Sequence, residues 1–90
     1  MTEEELLYSV GANIKKYRKQ KGILQQDLAA WCNMEIPNIS RIENGRTNPT
    51  LRTLQKISQA LGVEIADLVK PYDRSGEEGK FSLAQSGKRE

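Results

Sequence analysis

The sequence predicts an all-α domain of five helices, two of them paired as a helix-turn-helix. Three observations carry this. Apolar residues recur at three- and four-residue intervals from Leu6 to Val69, and no window before residue 80 alternates with the two-residue period of a strand. Residues 25–44 also have the spacing of two short helices that meet across one sharp turn. There Leu28, Cys32, Met34, Ile39 and Ile42 are the apolar positions, and Ala29 is small where two helices cross. Asn33 stands at the turn, and Asn tolerates a left-handed backbone better than most residues.

Each element follows from its own residues. Thr2 and Glu5 are placed as the N-cap and N3 of a capping box, opening a first helix that carries Leu6, Leu7, Val10, Ile14 and Tyr17. Gly11 marks either a break or a close helix contact, and spacing leaves both open. Gly22 ends this helix after Lys19 and Lys21, cations suited to a helix C-terminus. The second helix, residues 25–32, buries Leu28, Ala29 and Cys32, and the third, residues 36–44, buries Ile39 and Ile42. Residues 44–49 are a loop by composition. Thr50 caps a fourth helix with Leu51, Leu54, Ile57, Ala60 and Leu61, closed by Gly62. Ile65, Leu68 and Val69 make a short fifth helix stopped by Pro71. The chain thus divides into a helical extension (1–8), a helix-turn-helix domain (9–70) and a segment (71–90) that is either a flexible tail or a short dimerisation piece built on Phe81 and Leu83.

Composition bounds the function. At 37% hydrophobic the chain is globular, and 90 residues form one small domain. A net charge of +2 hides an uneven distribution: between Lys15 and Lys56 nine Lys/Arg face three acids, a basic middle suited to phosphate. One cysteine excludes an intrachain disulfide, and with no His a zinc site is not expected. Cys32 reads as a small core residue rather than a redox sensor. No nucleophile–base pair or phosphate-cradling Gly loop implies catalysis, and no cofactor is expected. Neither a signal peptide nor a membrane-spanning run is evident, so the expected compartment is the cytoplasm.

The outward face of the third helix is the candidate reader. With Ile39 set toward the core and about 100° per residue, Ile42 and Glu43 share the core side. Pro37, Arg41 and Asn44 point away, with Ser40 between. Ile36 and Pro37 begin the helix, the end that enters a major groove first. Arg41 is the candidate for a bidentate contact to guanine; its alternatives are a phosphate contact or a solvated charge. Ile36 and Pro37 offer only apolar contact to thymine methyls, which leaves more of the reading to DNA shape. Glu35 sits at the N-cap, where a carboxylate suits the helix dipole, and is expected mainly to cap.

From Val10 to Val69 the chain resembles the phage-repressor (Cro-like, XRE) helix-turn-helix family. The resemblance rests on Gly11-Ala-Asn-Ile14-Lys-Lys-Tyr-Arg18, Gln25-Gln-Asp-Leu28-Ala29, Ile39-Ser-Arg-Ile-Glu-Asn-Gly45, Asn48-Pro49 and Ala60-Leu61-Gly62-Val63, in this order. It implies a compact, lambda-repressor-like five-helix domain that binds double-stranded operator DNA, usually as a homodimer. Gln25 aligns with a glutamine that touches phosphate at the start of the first reader helix. Leu24 departs from the Ser or Thr that usually caps there, a loss of about 1 kcal/mol unless compensated. The loop after the reader helix grips phosphate in the family, which gives Asn44, Arg46 and Asn48 that role here; Asn38 and Arg52 are expected to join them. Arg18 and Glu43 align with a pair that bridges the first and third helices. Trp31 falls where the pattern expects solvent; the expected packing is beneath the N-terminal turns, against Leu6 or Leu7, and the alternative is a protein interface. The function implied is a transcriptional regulator on a near-palindromic operator. The alternatives are an antitoxin using the same DNA face and a protein-interaction adaptor.

Overall fold

A computed structural model describes residues 1–74. Five helices follow one another: α1 (Glu3–Gln20), α2 (Gln25–Trp31), α3 (Ile36–Glu43), α4 (Leu51–Leu61) and α5 (Ile65–Val69). The dimerisation reading of Phe81 and Leu83 lies outside the described residues.

Local chemistry sets each boundary. Thr2 Oγ1 accepts from the Glu5 N–H at 3.1 Å while the Glu5 carboxylate accepts from the Thr2 N–H at 2.8 Å, so the capping box closes as the spacing predicts. Those bonds hold the Glu5 carboxyl below its ordinary value, the backbone bond first. Gly22, Gly45 and Gly62 have φ near +70°, and Asn33 takes the turn at φ 56. Thr50 Oγ1 caps α4 by accepting from the Thr53 N–H at 3.1 Å. The missing hydroxyl at Leu24 is partly offset, because Asp27 accepts from the Leu24 N–H at 3.3 Å. Glu35 occupies the N-cap of α3 but makes no side-chain capping bond. Exposed to water there, it acts on the helix end through its charge, as expected, and not through a hydrogen bond.

Gly11 does not break α1. A Cβ there would overlap the Ile42 carbonyl oxygen and stand 2.5 Å from that of Glu43, so the residue lets α1 touch the end of α3. Residues 3–8 run into the rest of α1 without interruption.

The core comprises Val10, Ile14, Leu28, Ala29, Cys32, Ile39, Ile42, Leu54, Ile57, Leu61 and Leu68. Met34, Tyr17, Ile23 and Val69 pack at its margin. Burial pushes the Cys32 thiol up, against the opposing charge of Lys56, as suits an inert core residue. Sequence reasoning missed Asn13, which is fully buried and donates from Nδ2 to the carbonyls of Leu68 and Lys70 at 3.0 and 2.8 Å. It clamps the exit of α5 to α1.

Two expectations are corrected. Residues 71–74, assigned by composition to the tail, include Tyr72, whose N–H donates to Ser9 Oγ at 3.1 Å and whose ring meets Tyr8 edge-on. One aromatic ring and one hydroxyl suffice, and average composition cannot register them. Trp31 is 60% exposed and so is not packed beneath the N-terminal turns. The backbone at Leu7 and Tyr8 instead backs onto Gly45, in the loop after α3. As the one tryptophan of the chain, Trp31 should show red-shifted emission, and iodide should quench it nearly as efficiently as free indole. A blue-shifted, protected emission would place the ring in an interface between copies.

Candidate nucleic-acid interface

α3 separates two environments. Ile39, Ile42 and Glu43 are buried on one side, whereas Ile36, Pro37, Asn38, Arg41 and Asn44 are exposed on the other and Ser40 is half-buried between. Pro37 falls in the first turn, where an N–H has no intrahelical partner. Ile36 is 45% exposed, an apolar side chain left in water at the leading end of the helix.

The polar side chains along this face of α3 and at its C-cap are linked in pairs. Arg41 Nη1 donates to Asn38 Oδ1 at 2.7 Å, which draws the guanidinium along the helix toward its N-terminus. Asn44 Nδ2 donates to Ser40 Oγ at 3.5 Å, a long bond that leaves both groups available. The loop then folds back: the Gly45 N–H donates to the Ile42 carbonyl and the Arg46 N–H to the Arg41 carbonyl, at 3.1 and 2.9 Å. Arg46, Asn48 and Arg52 are all exposed, and their side chains make no hydrogen bond or ion pair among the described residues.

Behind this face lies a buried polar cluster. Arg18 Nε and Nη2 reach the two oxygens of Glu43 at 2.6 and 3.1 Å, and Nη1 donates to the Ile23 carbonyl at 2.8 Å. The side chains of Arg18 and Glu43 are 9% and 0% exposed, so the bridge between α1 and α3 is shielded from water. Gln25, half-buried at the start of α2, donates from Nε2 to Glu43 Oε1 at 3.0 Å. The expected phosphate contact is thus anchored through its amide to the buried carboxylate, a link the spacing did not reveal. One Nε2 hydrogen and the amide oxygen stay free to face outward.

The structure therefore joins Arg18, Glu43 and Gln25 in one cluster, Arg41 with Asn38, and Ser40 with Asn44. It does not bond Asn48 or Arg52 to any of them. Among the described residues no group of three or more His, Cys, Asp or Glu side chains could hold a metal, and no helix is long and apolar enough to cross a membrane.

Comparison with known proteins agrees with this geometry. An HTH-type transcriptional regulator of Sinorhizobium fredii, y4dJ, is 39% identical over 66 residues, covering 73% of this chain and 86% of the relative. The crystal structure of the hypothetical transcription factor NHTF from Neisseria superposes with a TM-score of 0.72 at 30% identity, over 90% of both chains. The controller protein C.Esp1396I, solved bound to a 25 base pair operator site, superposes with a TM-score of 0.62 at 36% identity, over 72% of this chain and 96% of that one. Residues 14–68 match the HTH_3 helix-turn-helix family, so this chain belongs to that XRE-type family of DNA-binding transcriptional regulators.

Proposed function

We propose that this regulator acts in the cytoplasm by binding a near-palindromic operator as a homodimer, with α3 of each copy in a major groove. The observation that carries this is the division of α3 into a buried edge tied to α1 and an exposed edge bearing Ile36, Pro37, Ser40 and Arg41. A helix held rigidly from behind and open in front meets what groove reading requires. The operator-bound C.Esp1396I structure supports double-stranded DNA as the partner. Arg41 addresses a guanine edge, Ile36 and Pro37 the thymine methyls, and Gln25, Asn38, Asn44, Arg46, Asn48 and Arg52 the phosphates.

A twofold dimer would set the two reader helices about 34–36 Å apart, one turn of duplex. The apolar residues of α5, Ile65 to Val69, offer little surface for that interface. Leu68 is fully buried in the protomer's own core, and Ile65 and Val69 are half-buried. Leu51, at the start of α4, is far more exposed, at 74%, and is a further apolar candidate for that interface. A protein that sediments as a monomer at high concentration, free and on DNA, would exclude this arrangement.

Positioning and reading are separable by titration. Arg46→Ala should weaken preferred and random duplexes by a similar factor and lower the salt slope by about one, since phosphates are alike at every step. Arg41→Ala should cost about 1–3 kcal/mol on the preferred site and much less on random DNA, because the guanine edge occurs only at some steps. Asn38 already holds Arg41 Nη1, which limits the guanidinium's freedom before DNA arrives. Equal losses on both DNAs for Arg41→Ala would assign it to the backbone instead.

A further inference from the structure

The first turns of α1 are poorly anchored by burial. Residues 1–6 and Tyr8 are exposed and Leu7 is half-buried, so their order comes from the capping box, from Ser9 Oγ donating to Met1 Sδ at 3.8 Å and from what grips Tyr8. That grip is a strap formed by the chain just after α5. The Tyr72 ring stands at 81° to Tyr8 with centroids 6.2 Å apart, and the Arg74 guanidinium lies 4.5 Å from the centre of the Tyr8 ring. The strap is rooted by the Tyr72 N–H on Ser9 Oγ and by Asn13 on the carbonyls of Leu68 and Lys70.

The backbone of Tyr8 touches something else. Gly45 follows α3 at φ +69, and a Cβ built there would lie 3.2 Å from Tyr8 Cα and 3.3 Å from Tyr8 N. Gly45 and Arg46 are bonded back to the carbonyls of Ile42 and Arg41. One residue therefore has the strap on its ring and the loop after the reader helix on its backbone.

We propose that Tyr8, Tyr72 and Arg74 are positioning residues for the loop 44–48: the strap keeps the start of α1 folded, and that folded start is the wall that orders Gly45 and Arg46. This rests on the reading that the loop grips phosphate. The physical reason is local stability. Helix ends with little buried surface open readily, and a ring contact plus a cation over it stabilises them by an amount comparable to that fraying. When the start of α1 opens, Gly45 loses its backing, and the Arg46 side chain loses part of its fixed origin. The ring, cation and hydrogen-bond contacts described above fall on Tyr8 and Ser9, neither of them assigned to DNA, so the influence on DNA binding proposed here passes through Tyr8.

The test is the full chain carrying Tyr72→Ala together with Arg74→Ala, followed by amide hydrogen exchange without DNA and then by titration with random duplex. Exchange at Tyr8, Gly45 and Arg46 should quicken roughly tenfold while the amides of Leu28 and Ile57 stay protected, which shows that the fold is intact. Affinity for random and preferred duplex should fall together, by about 2- to 30-fold. Unchanged exchange at Gly45 and Arg46, with Tyr8 alone loosened, overturns the proposal whatever the DNA does. A loosened loop with undiminished affinity supports the coupling and instead removes the loop from the phosphate contacts. If Leu28 and Ile57 also lose protection, Arg74→Ala alone, which leaves the core margin untouched, decides by the same exchange at Gly45 and Arg46.

Discussion

Gly11→Ala should destabilise the domain by roughly 3 kcal/mol or more, although Ala is the better helix former. The two effects have opposite sign and can be compared. In an exposed helix interior, Gly to Ala stabilises by about 1 kcal/mol. Here the new methyl would overlap the Ile42 carbonyl oxygen and sit 2.5 Å from the Glu43 carbonyl oxygen and 2.7 Å from its carbon. These are backbone atoms at the end of α3, with no rotamer through which to yield. Relief requires α1 and α3 to separate by about 1 Å, since ordinary carbon–oxygen and carbon–carbon contacts need about 3.3 Å or more. That separation opens the contact between Val10, Ile14 and Ile42 and pulls on the Arg18–Glu43 bridge. Against a total stability of about 5–13 kcal/mol for a chain of this length, the loss is large. Urea unfolding followed by circular dichroism measures it. A variant as stable as the parent would mean that the two helices do not approach as closely as described.

The same residue shows what a sequence reading reaches and where it stops. The course of the helices, the turn at Asn33, the caps at Thr2 and Thr50 and the buried set Leu28, Cys32, Ile39 and Ile42 depend on local spacing and were legible. Whether Gly11 breaks a helix or admits a neighbour depends on where residues 42 and 43 lie, and local spacing carries no such information. Tyr72 looked like part of a tail because its partners, Ser9 and Tyr8, are more than sixty residues away. Which of Ile65, Leu68 and Val69 enters the protomer's own core was not legible, because one short helix has too few positions to show its inward side; Leu68 does. For Trp31, the periodicity gave the outward direction correctly; the general tendency of Trp to be buried overrode it and misled. Within the candidate site, the direction of each α3 side chain was readable at about 100° per residue. The bonds Arg41–Asn38 and Gln25–Glu43 were not, because they depend on rotamers and on how α2 meets α3.

Removing one partner of the Arg18–Glu43 bridge should cost about 3–5 kcal/mol, close to the whole stability of a domain at the lower end of its range. In Glu43→Ala the guanidinium of Arg18 keeps its bond to the Ile23 carbonyl but loses both carboxylate oxygens while still enclosed by the core. Its charge is then desolvated without a counter-charge, which is the expensive condition; the bridge itself need contribute little. The double variant Arg18→Met with Glu43→Leu separates the two ideas. It removes both charges at similar volume and should recover most of the lost stability, because a buried pair is often no better than well-packed apolar side chains. It should not recover DNA binding. Glu43 Oε1 also accepts from Gln25 Nε2, and without that acceptor the amide loses its orientation at the start of α2. Affinity for preferred and random duplexes should therefore fall together in the double variant even where its urea midpoint approaches that of the parent. If Glu43→Ala costs under about 1 kcal/mol, the pair behaves as a solvated surface bridge and its burial is illusory. If the double variant binds DNA as the parent does, Gln25 needs no anchor, and the buried pair only holds α1 against α3.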